Sequence, residues 1–273
     1  MMKGCQGHVL DMLMHKRTGS WLCAELPVTQ YMEAWDLQCR LVDARKSGSL
    51  ESNVILLLEH PPVFTLGRRG GLENLAVSQG FLEEEGIAVV QVERGGNITF
   101  HGPGQLVMYP IIDLQRAGLR VVEYVHKLEE VMIRTAGDWG ILAGRHSLNR
   151  GVWVGNRKLG SVGIAIRRGI CFHGAALNVN VSLKPFEWIN PCGLQDVTVT
   201  SLEQQLSHTL PMYDVRETVL DHIQAVFRAE LAGISLSQLQ RIIATTAPHK
   251  HTKCFLLRGR CREESTASGH FSL

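Results

Sequence analysis

Apolar residues recur at helical spacing over residues 28–47, at Tyr31, Ala34, Trp35, Leu37, Leu41 and Val42, and Gly48 follows as a stop. The next run, Val54-Ile55-Leu56-Leu57-Leu58, is short and wholly apolar, the pattern of a strand buried on both faces. Pro61-Pro62 breaks it, Val63 to Leu66 resumes as strand, and Gly67-Arg68-Arg69-Gly70-Gly71 turns the chain. Ile87 to Val92 alternates like a strand, a brief extended piece lies between Gly95-Gly96 and Gly102-Pro103-Gly104, and Leu106 to Ile112 reads as another strand. Val121 to Trp139 has helical periodicity and closes at Gly140. Three β-like runs follow, at Gly151 to Val154, Lys158 to Arg167 and Ile170 to Val181. Thr200 is placed to cap a short helix with Glu203 completing a capping box, and Asp214 to cap a helix over 215–231 ending at Gly233. Residues 234–248 add one more helical stretch. Successive strands mixed with helices predict an α+β fold, mixed β-sheet layers with flanking helices, in preference to strict βαβ alternation.

Length divides this pattern. The 273 residues suit one catalytic domain with extensions: 1–20 at the N-terminus, a domain over 21–233, and 234–273 at the C-terminus, where the tail from His249 is basic, then Ser-rich and loosely ordered. Lysine plus arginine exceed the acids by only 28 to 26, so nothing in the overall charge calls for nucleic acid or a membrane surface. No apolar run approaches the roughly 18 residues of a membrane span, and the first residues lack a secretory core. A cytoplasmic location is expected, with a mitochondrial or plastid one as the alternative for a eukaryotic source, because the first 20 residues carry little acid. The seven cysteines are irregularly spaced and form no C-x-x-C pair, which argues against a disulfide framework and a structural zinc site and leaves no metal site expected. A reducing compartment, in which a reactive thiol persists, fits best.

Glycines cluster at Arg94-Gly95-Gly96-Asn97-Ile98-Thr99-Phe100-His101-Gly102-Pro103-Gly104-Gln105, at Lys158-Leu159-Gly160-Ser161-Val162-Gly163, and at His173-Gly174-Ala175-Ala176. They suit either tight turns at sheet edges or pocket walls where an unbranched ligand lies on bare backbone. Pro191-Cys192-Gly193 puts a cysteine in a turn, outside any core strand. A thiol there becomes a nucleophile only with a nearby cation or base, and the candidates are Lys158, His101 and His173. Lys158 opens an apolar strand, where partial desolvation favours a neutral amine; the histidines serve equally as hydrogen-bonded supports.

Four blocks in order carry a resemblance: Phe64-Thr65-Leu66-Gly67-Arg68; residues 94–114 beginning with the first glycine cluster; Gly151 to Val154 with Lys158 to Ile164 and His173 to Val179; and Phe186 with Ile189 to Leu194 and Thr200-Ser201. Over residues 21–232 the chain resembles the octanoyltransferases of lipoate biosynthesis, also called lipoyl(octanoyl) transferases. The resemblance implies a fold similar to the catalytic domain of biotin and lipoate protein ligases. It implies transfer of octanoyl (or lipoyl) from acyl carrier protein to a lysine of lipoyl domains, those of 2-oxoacid dehydrogenase complexes and the glycine cleavage H protein. It places the nucleophile on Cys192 and its activating lysine on Lys158. Substrate contacts fall on Arg94, Gly95, Gly96, Asn97, Ile98, Thr99, Phe100 and His101, on Ser161, Val162 and Gly163, and on Gly174, Ala175 and Ala176. It implies no cofactor and no ATP, the donor being carried on the carrier's phosphopantetheine. The rival readings are an ATP-dependent lipoate or biotin ligase, a thiol hydrolase, and a non-catalytic acyl-binding protein.

Overall fold

A computed structural model describes residues 20–146, 149–190, 198–244 and 255–256, the last pair as backbone only. The chain runs through β1 (Ser20–Glu25), α1 (Tyr31–Ser47), β2 (Val54–Leu58), β3 (Val63–Leu66), α2 (Gln79–Glu84), β4 (Ala88–Gln91), β5 (Ile98–His101) and β6 (Gln105–Asp113). It continues through α3 (Val121–Asp138), β7 (Gly144–Arg145), β8 (Val152–Val154), β9 (Arg157–Arg167), β10 (Ile170–Asn178) and β11 (Thr198–Val199). The last elements are α4 (Leu202–Leu206), α5 (Met212–Phe227), β12 (Glu230–Gly233), α6 (Leu236–Ala244) and β13 (Phe255–Leu256). Among the described residues a nine-stranded sheet has the order β12-β1-β2-β6-β10-β9-β8-β7, with β11 also on β9, and a smaller sheet has the order β13-β4-β3-β5.

The all-apolar β2 is explained by its two neighbours. Ile55 and Leu57 face a core built with Tyr124, Leu128 and Met132 of α3 and Val215, Val219 and Ile223 of α5. Val54, Leu56 and Leu58 face the opposite core, with Leu37, Leu41 and Val42 of α1 and Leu239 and Ile243 of α6. Alternating side chains thus leave the strand through both faces, and both faces are covered by helices. Beneath the small sheet, Phe64, Leu66, Val89, Ile98 and Phe100 form a third cluster with Val181 and Ile189. This is the mixed-sheet α+β architecture expected from the pattern.

Several elements differ from their sequence expectation. Ser201, not Thr200, caps α4 by accepting from Gln204 N–H, because Thr200 is committed elsewhere: its N–H donates to the Lys158 carbonyl and its carbonyl accepts from Asn178. Asp214 sits inside the first turn of α5, whose helix begins at Met212 and ends at Phe227; the residues expected to finish it instead form β12 beside β1. The packed body also continues past residue 233, since Leu239 and Ile243 of α6 are fully buried.

Pro110 lies in the middle of the central strand β6 and has no N–H to give to the ladder. β2 pairs with β6 straight through it, whereas the β6–β10 pairing lapses between Cys171↔Ile112 and Ala175↔Met108. In that gap His173 takes a left-handed backbone (φ 56), and its N–H donates to the Gln38 side chain of α1 at 2.8 Å. Among the described residues no helix is long and apolar enough to cross a membrane.

Candidate active site

A cavity of about 500 Å³ opens between the small sheet and strands β9 and β10. One wall is the loop and strand from Arg94 to His101, the other is Ser161 to Ile164 of β9 with Gly174 to Ala176 of β10. The buried residues Tyr31, His101, Tyr109 and His173 form the floor. Exposed Arg68, Arg69, Arg150, Val121 and Val122 stand at the mouth.

Of the residues expected to touch substrate, Arg94, Gly95, Gly96, Asn97, Ile98, Thr99, His101, Ser161, Val162, Gly163, Gly174, Ala175 and Ala176 all line this cavity. Phe100 does not. Strand alternation turns it away from Thr99 and His101, and it packs on Phe64 at 5.2 Å and Phe186 at 5.5 Å. Phe186 does line the cavity, so Phe100 acts as backing for it.

Lys158 also lines the cavity, half-buried, with its ammonium 5.4 Å from the Trp153 ring centroid. Its backbone is held by β11, where Val199 is its register partner. Gly151 leaves room for it: a Cβ there would come within 3.0 Å of Lys158 Cε and 2.4 Å of the Gly160 carbonyl, at a φ of +117° that disfavours any side chain. Cys192 lies outside the described residues, which stop at Asn190 and resume at Thr198. Ile189 and Val199, on either side of that segment, are both on the cavity wall.

Gly174 has a different reason. A Cβ there would meet the Met108 carbonyl oxygen at 2.1 Å and Pro110 Cδ at 2.8 Å, so this glycine serves the backbone crossing at the Pro110 gap and not the ligand alone.

A chain of hydrogen bonds ties the loop wall to Lys158. Arg94 donates through Nε and Nη2 to Thr65 Oγ1 at 3.2 and 2.8 Å, leaving the Thr65 hydroxyl to face His101 Nε2 at 3.5 Å. His101 Nδ1 meets Gln105 Oε1 at 2.7 Å, and Gln105 Nε2 donates to Asn178 Oδ1 at 2.9 Å. Since that amide oxygen can only accept, His101 carries its proton on Nδ1. Asn178 Nδ2 then donates to the Thr200 carbonyl, and Thr200 N–H to that of Lys158.

These groups are held neutral. Burial, helped by nearby His60, keeps the His101 imidazole well below its ordinary range. Burial pushes His60 down to about 4 against its Thr29 carbonyl bond, and lowers His173 against the facing Glu93. His60 Nδ1 approaches the Thr29 carbonyl at 2.7 Å, so Nε2 accepts from the Tyr109 hydroxyl at 2.9 Å. Burial alone would raise the Glu93 carboxyl, but His173, its own backbone N–H and Trp35 outweigh it and hold it at about 2. Cys23, Cys39 and Cys171 are buried, with thiols raised by burial to about 12, which leaves them inert at neutral pH. Cys171 is fully buried and serves as a small apolar core residue.

Sequence reasoning named His101 and His173 but missed the rest of the floor and its backing. Tyr31 sat unnoticed in a helical pattern, His60 beside Pro61-Pro62, and Tyr109 in an apolar run. The usable signal was Pro110, since a proline inside a central strand marks a broken ladder and a re-aimed neighbour.

The sequence pattern that defines the lipoyl protein ligase A/B catalytic domain matches residues 30–224. The chain belongs to that family. It is 48% identical over 205 residues to an octanoyltransferase of Desulfotalea psychrophila, covering 74% of this chain and 92% of that protein. An octanoyltransferase of Caldicellulosiruptor saccharolyticus is 45% identical over 220 residues, 80% of this chain and 93% of that protein. Among solved structures, lipoate-protein ligase A bound with ATP superposes with a TM-score of 0.66 at 14% identity, over 83% of this chain and 92% of that one. P. falciparum LipL1 in complex with lipoate gives 0.64 at 10%, over 81% and 67%. The chain therefore has the lipoate-ligase fold, as its resemblance implied, and its near relatives in sequence carry the octanoyltransferase name.

Proposed function

We propose that this acyltransferase moves an octanoyl group from the thioester of acyl carrier protein to a lysine of a lipoyl domain, through a thioester on Cys192. The observation that carries the reading is Lys158 on the wall of a medium-sized cavity, paired through Val199 with the strand that follows the Cys192 segment.

In the first half-reaction the Cys192 thiolate attacks the octanoyl carbonyl, the C–S bond to the carrier breaks, and the carrier thiolate leaves with a proton. One thioester replaces another, so the step is close to thermoneutral. In the second, a neutral lysine attacks, Lys158 takes the proton of the incoming amine, the C–S bond breaks to release the Cys192 thiolate, and an amide forms. An amide replacing a thioester makes this step downhill, which is why no ATP and no other cofactor is needed. The reading places the reaction in a reducing, cytoplasm-like compartment, since the thiol must stay reduced.

Intact-mass measurement after mixing with octanoyl-carrier protein and a lipoyl domain, without ATP, tests this. Wild type should show an octanoyl adduct and acylate the domain; Cys192→Ser should show neither. Lys158→Arg keeps the charge but offers no usable base, and should retain adduct formation while transfer falls about 10²-fold or more. An adduct on another cysteine, or transfer that requires ATP, sinks the reading; the second outcome would favour a ligase on the same fold.

A further inference from the structure

The basic side chains are not spread evenly over the surface. Beside the mouth of the cavity lies a second, open groove of about 440 Å³, lined by Lys127, Glu130 and Arg134 of α3, Arg145 of β7 and Arg228 just past α5. Arg150 joins the two. It stands at the cavity mouth, and its Nη1 donates to His126 Nε2 on the groove wall at 2.8 Å.

Two carboxylates oppose this set. Glu129 is buried beneath Arg145, and Glu130 is shared between Arg134 and Arg145 at 2.9 Å from each. Glu123, nearby on α3, is occupied by Arg120. Lys127, Arg134, Arg145, Arg150 and Arg228 therefore outnumber Glu129 and Glu130 by 5 − 2 = 3, a larger excess than the 28 − 26 = 2 of the whole chain. Arg134, Arg150 and Arg228 are exposed, and among the described residues no carboxylate lies within ion-pair distance of Arg150 or Arg228. A patch of one sign beside a reaction cavity attracts an acidic macromolecule and fixes its orientation. At the rim between cavity and groove, Val121 and Val122 are 44% and 54% exposed, which adds apolar surface to the charged flank.

Reach decides which of the two protein substrates this groove suits. Val122 stands at the mouth, and Arg134 lies 134 − 122 = 12 positions farther along α3 on the same i, i+4 row, roughly 18 Å away at about 1.5 Å per residue. A lysine side chain extends about 6 Å, so an acceptor domain must sit on the mouth itself to bring its amine inside. A phosphopantetheine arm extends roughly 18 Å, so a donor can thread the arm through the mouth while its body rests to one side.

We propose that the Lys127–Arg134–Arg145–Arg228 groove, continued to the mouth by Arg150, is the docking surface of the donor protein, which presents an acidic face beside the root of its prosthetic arm. This rests on the transferase reading and adds to it the place where the donor is held. The acceptor domain uses the mouth and leaves the groove uncovered.

The test uses the full chain and reads kcat/KM for three substrates: octanoyl-acyl carrier protein, S-octanoylpantetheine as a donor with no carrier protein, and a lipoyl domain. Arg134→Glu combined with Arg228→Glu should lower kcat/KM for octanoyl-carrier protein about tenfold or more, and leave S-octanoylpantetheine and the lipoyl domain within about twofold of wild type. Added NaCl should erode the wild-type value for octanoyl-carrier protein and affect the double variant less. If the charge reversals do not fold, Arg134→Gln with Arg228→Gln carries the same selective loss at about threefold. An equal loss on all three substrates is a structural effect and overturns the proposal. A loss confined to the lipoyl domain assigns the groove to the acceptor and overturns it too, as does an unchanged value for octanoyl-carrier protein. A wild type that transfers octanoyl from neither donor removes the transferase reading itself; transfer from both donors with no selective loss removes the groove assignment alone.

Discussion

Both walls of the cavity are strand ladders, but only one of them also hangs on a relay of side chains. The β9–β10 wall is a backbone ladder, paired continuously from Ile170↔Arg167 to Leu177↔Gly160. The opposite wall, Arg94 to His101, has its own ladder, β5 on β3 from Val63↔His101 to Leu66↔Ile98, and adds a side-chain relay to it: Thr65 under Arg94, His101 on Gln105, Gln105 on Asn178, with a backbone tie across to the other wall from Gly95 N–H to the Ile164 carbonyl. A ladder depends on where residues lie in the register and little on which residues they are. A side-chain relay depends on every member and on its protonation state. Both walls should therefore fail on steric grounds, and the relay wall through chemistry as well.

The ladder side is tested most harshly at Gly174. Gly174→Ala sets a Cβ against backbone that cannot yield, and should cost about 3 kcal/mol or more, seen as a collapse in Tm or in soluble yield. Near-normal stability would mean the crossing at Pro110 is slack.

The buried histidines behind the relay predict acid sensitivity. His60 is neutral in the fold and free to protonate once unfolded, so below about pH 6.5 the unfolded chain binds more protons. Its contribution is fully present above that pH and is lost as pH falls toward about 4. The interval corresponds to about 3 kcal/mol for His60 alone. Urea titrations at about pH 7.5 and 4.5 should show that loss, and His60→Gln should flatten it; a pH-independent midpoint would contradict the neutral floor.

Thr65→Val is smaller. It removes the hydroxyl under Arg94 and His101 while keeping the shape, and should cost about 2 kcal/mol. Transfer should slow, and amide exchange at Ala175 and Ala176 should stay unchanged if the walls are independent. Smallest is Ser201→Ala, which uncaps α4 for about 1 kcal/mol in thermal denaturation and touches neither wall.

The same contrast explains what could be read from the sequence. Ladder elements announce themselves through local pattern: the VILLL run of β2, the periodicity of Val121 to Trp139 and the three strand runs after Gly151 all fell where expected. The glycine blocks pointed to the cavity walls because each is a contiguous local motif. The floor came from Tyr31, His101, Tyr109 and His173, on four different elements, with His60 of the β2–β3 loop behind them, and no local pattern announces their meeting. Phe100 was misplaced because membership in a motif does not say which face of a strand a residue takes. β12 escaped notice because Glu230 to Gly233 is held by a parallel partner more than two hundred positions away, where no hairpin signal exists.

The lapse in the ladder at Pro110 also hands one amide of the central sheet to a helix. His173 N–H is guarded by the Gln38 side chain alone, while Ala175 and Ala176 beside it sit in paired register on both sides. Isotope exchange at that single amide would therefore report the docking of α1 on the sheet, so His173 doubles as a built-in gauge of how firmly the lid of that core is seated.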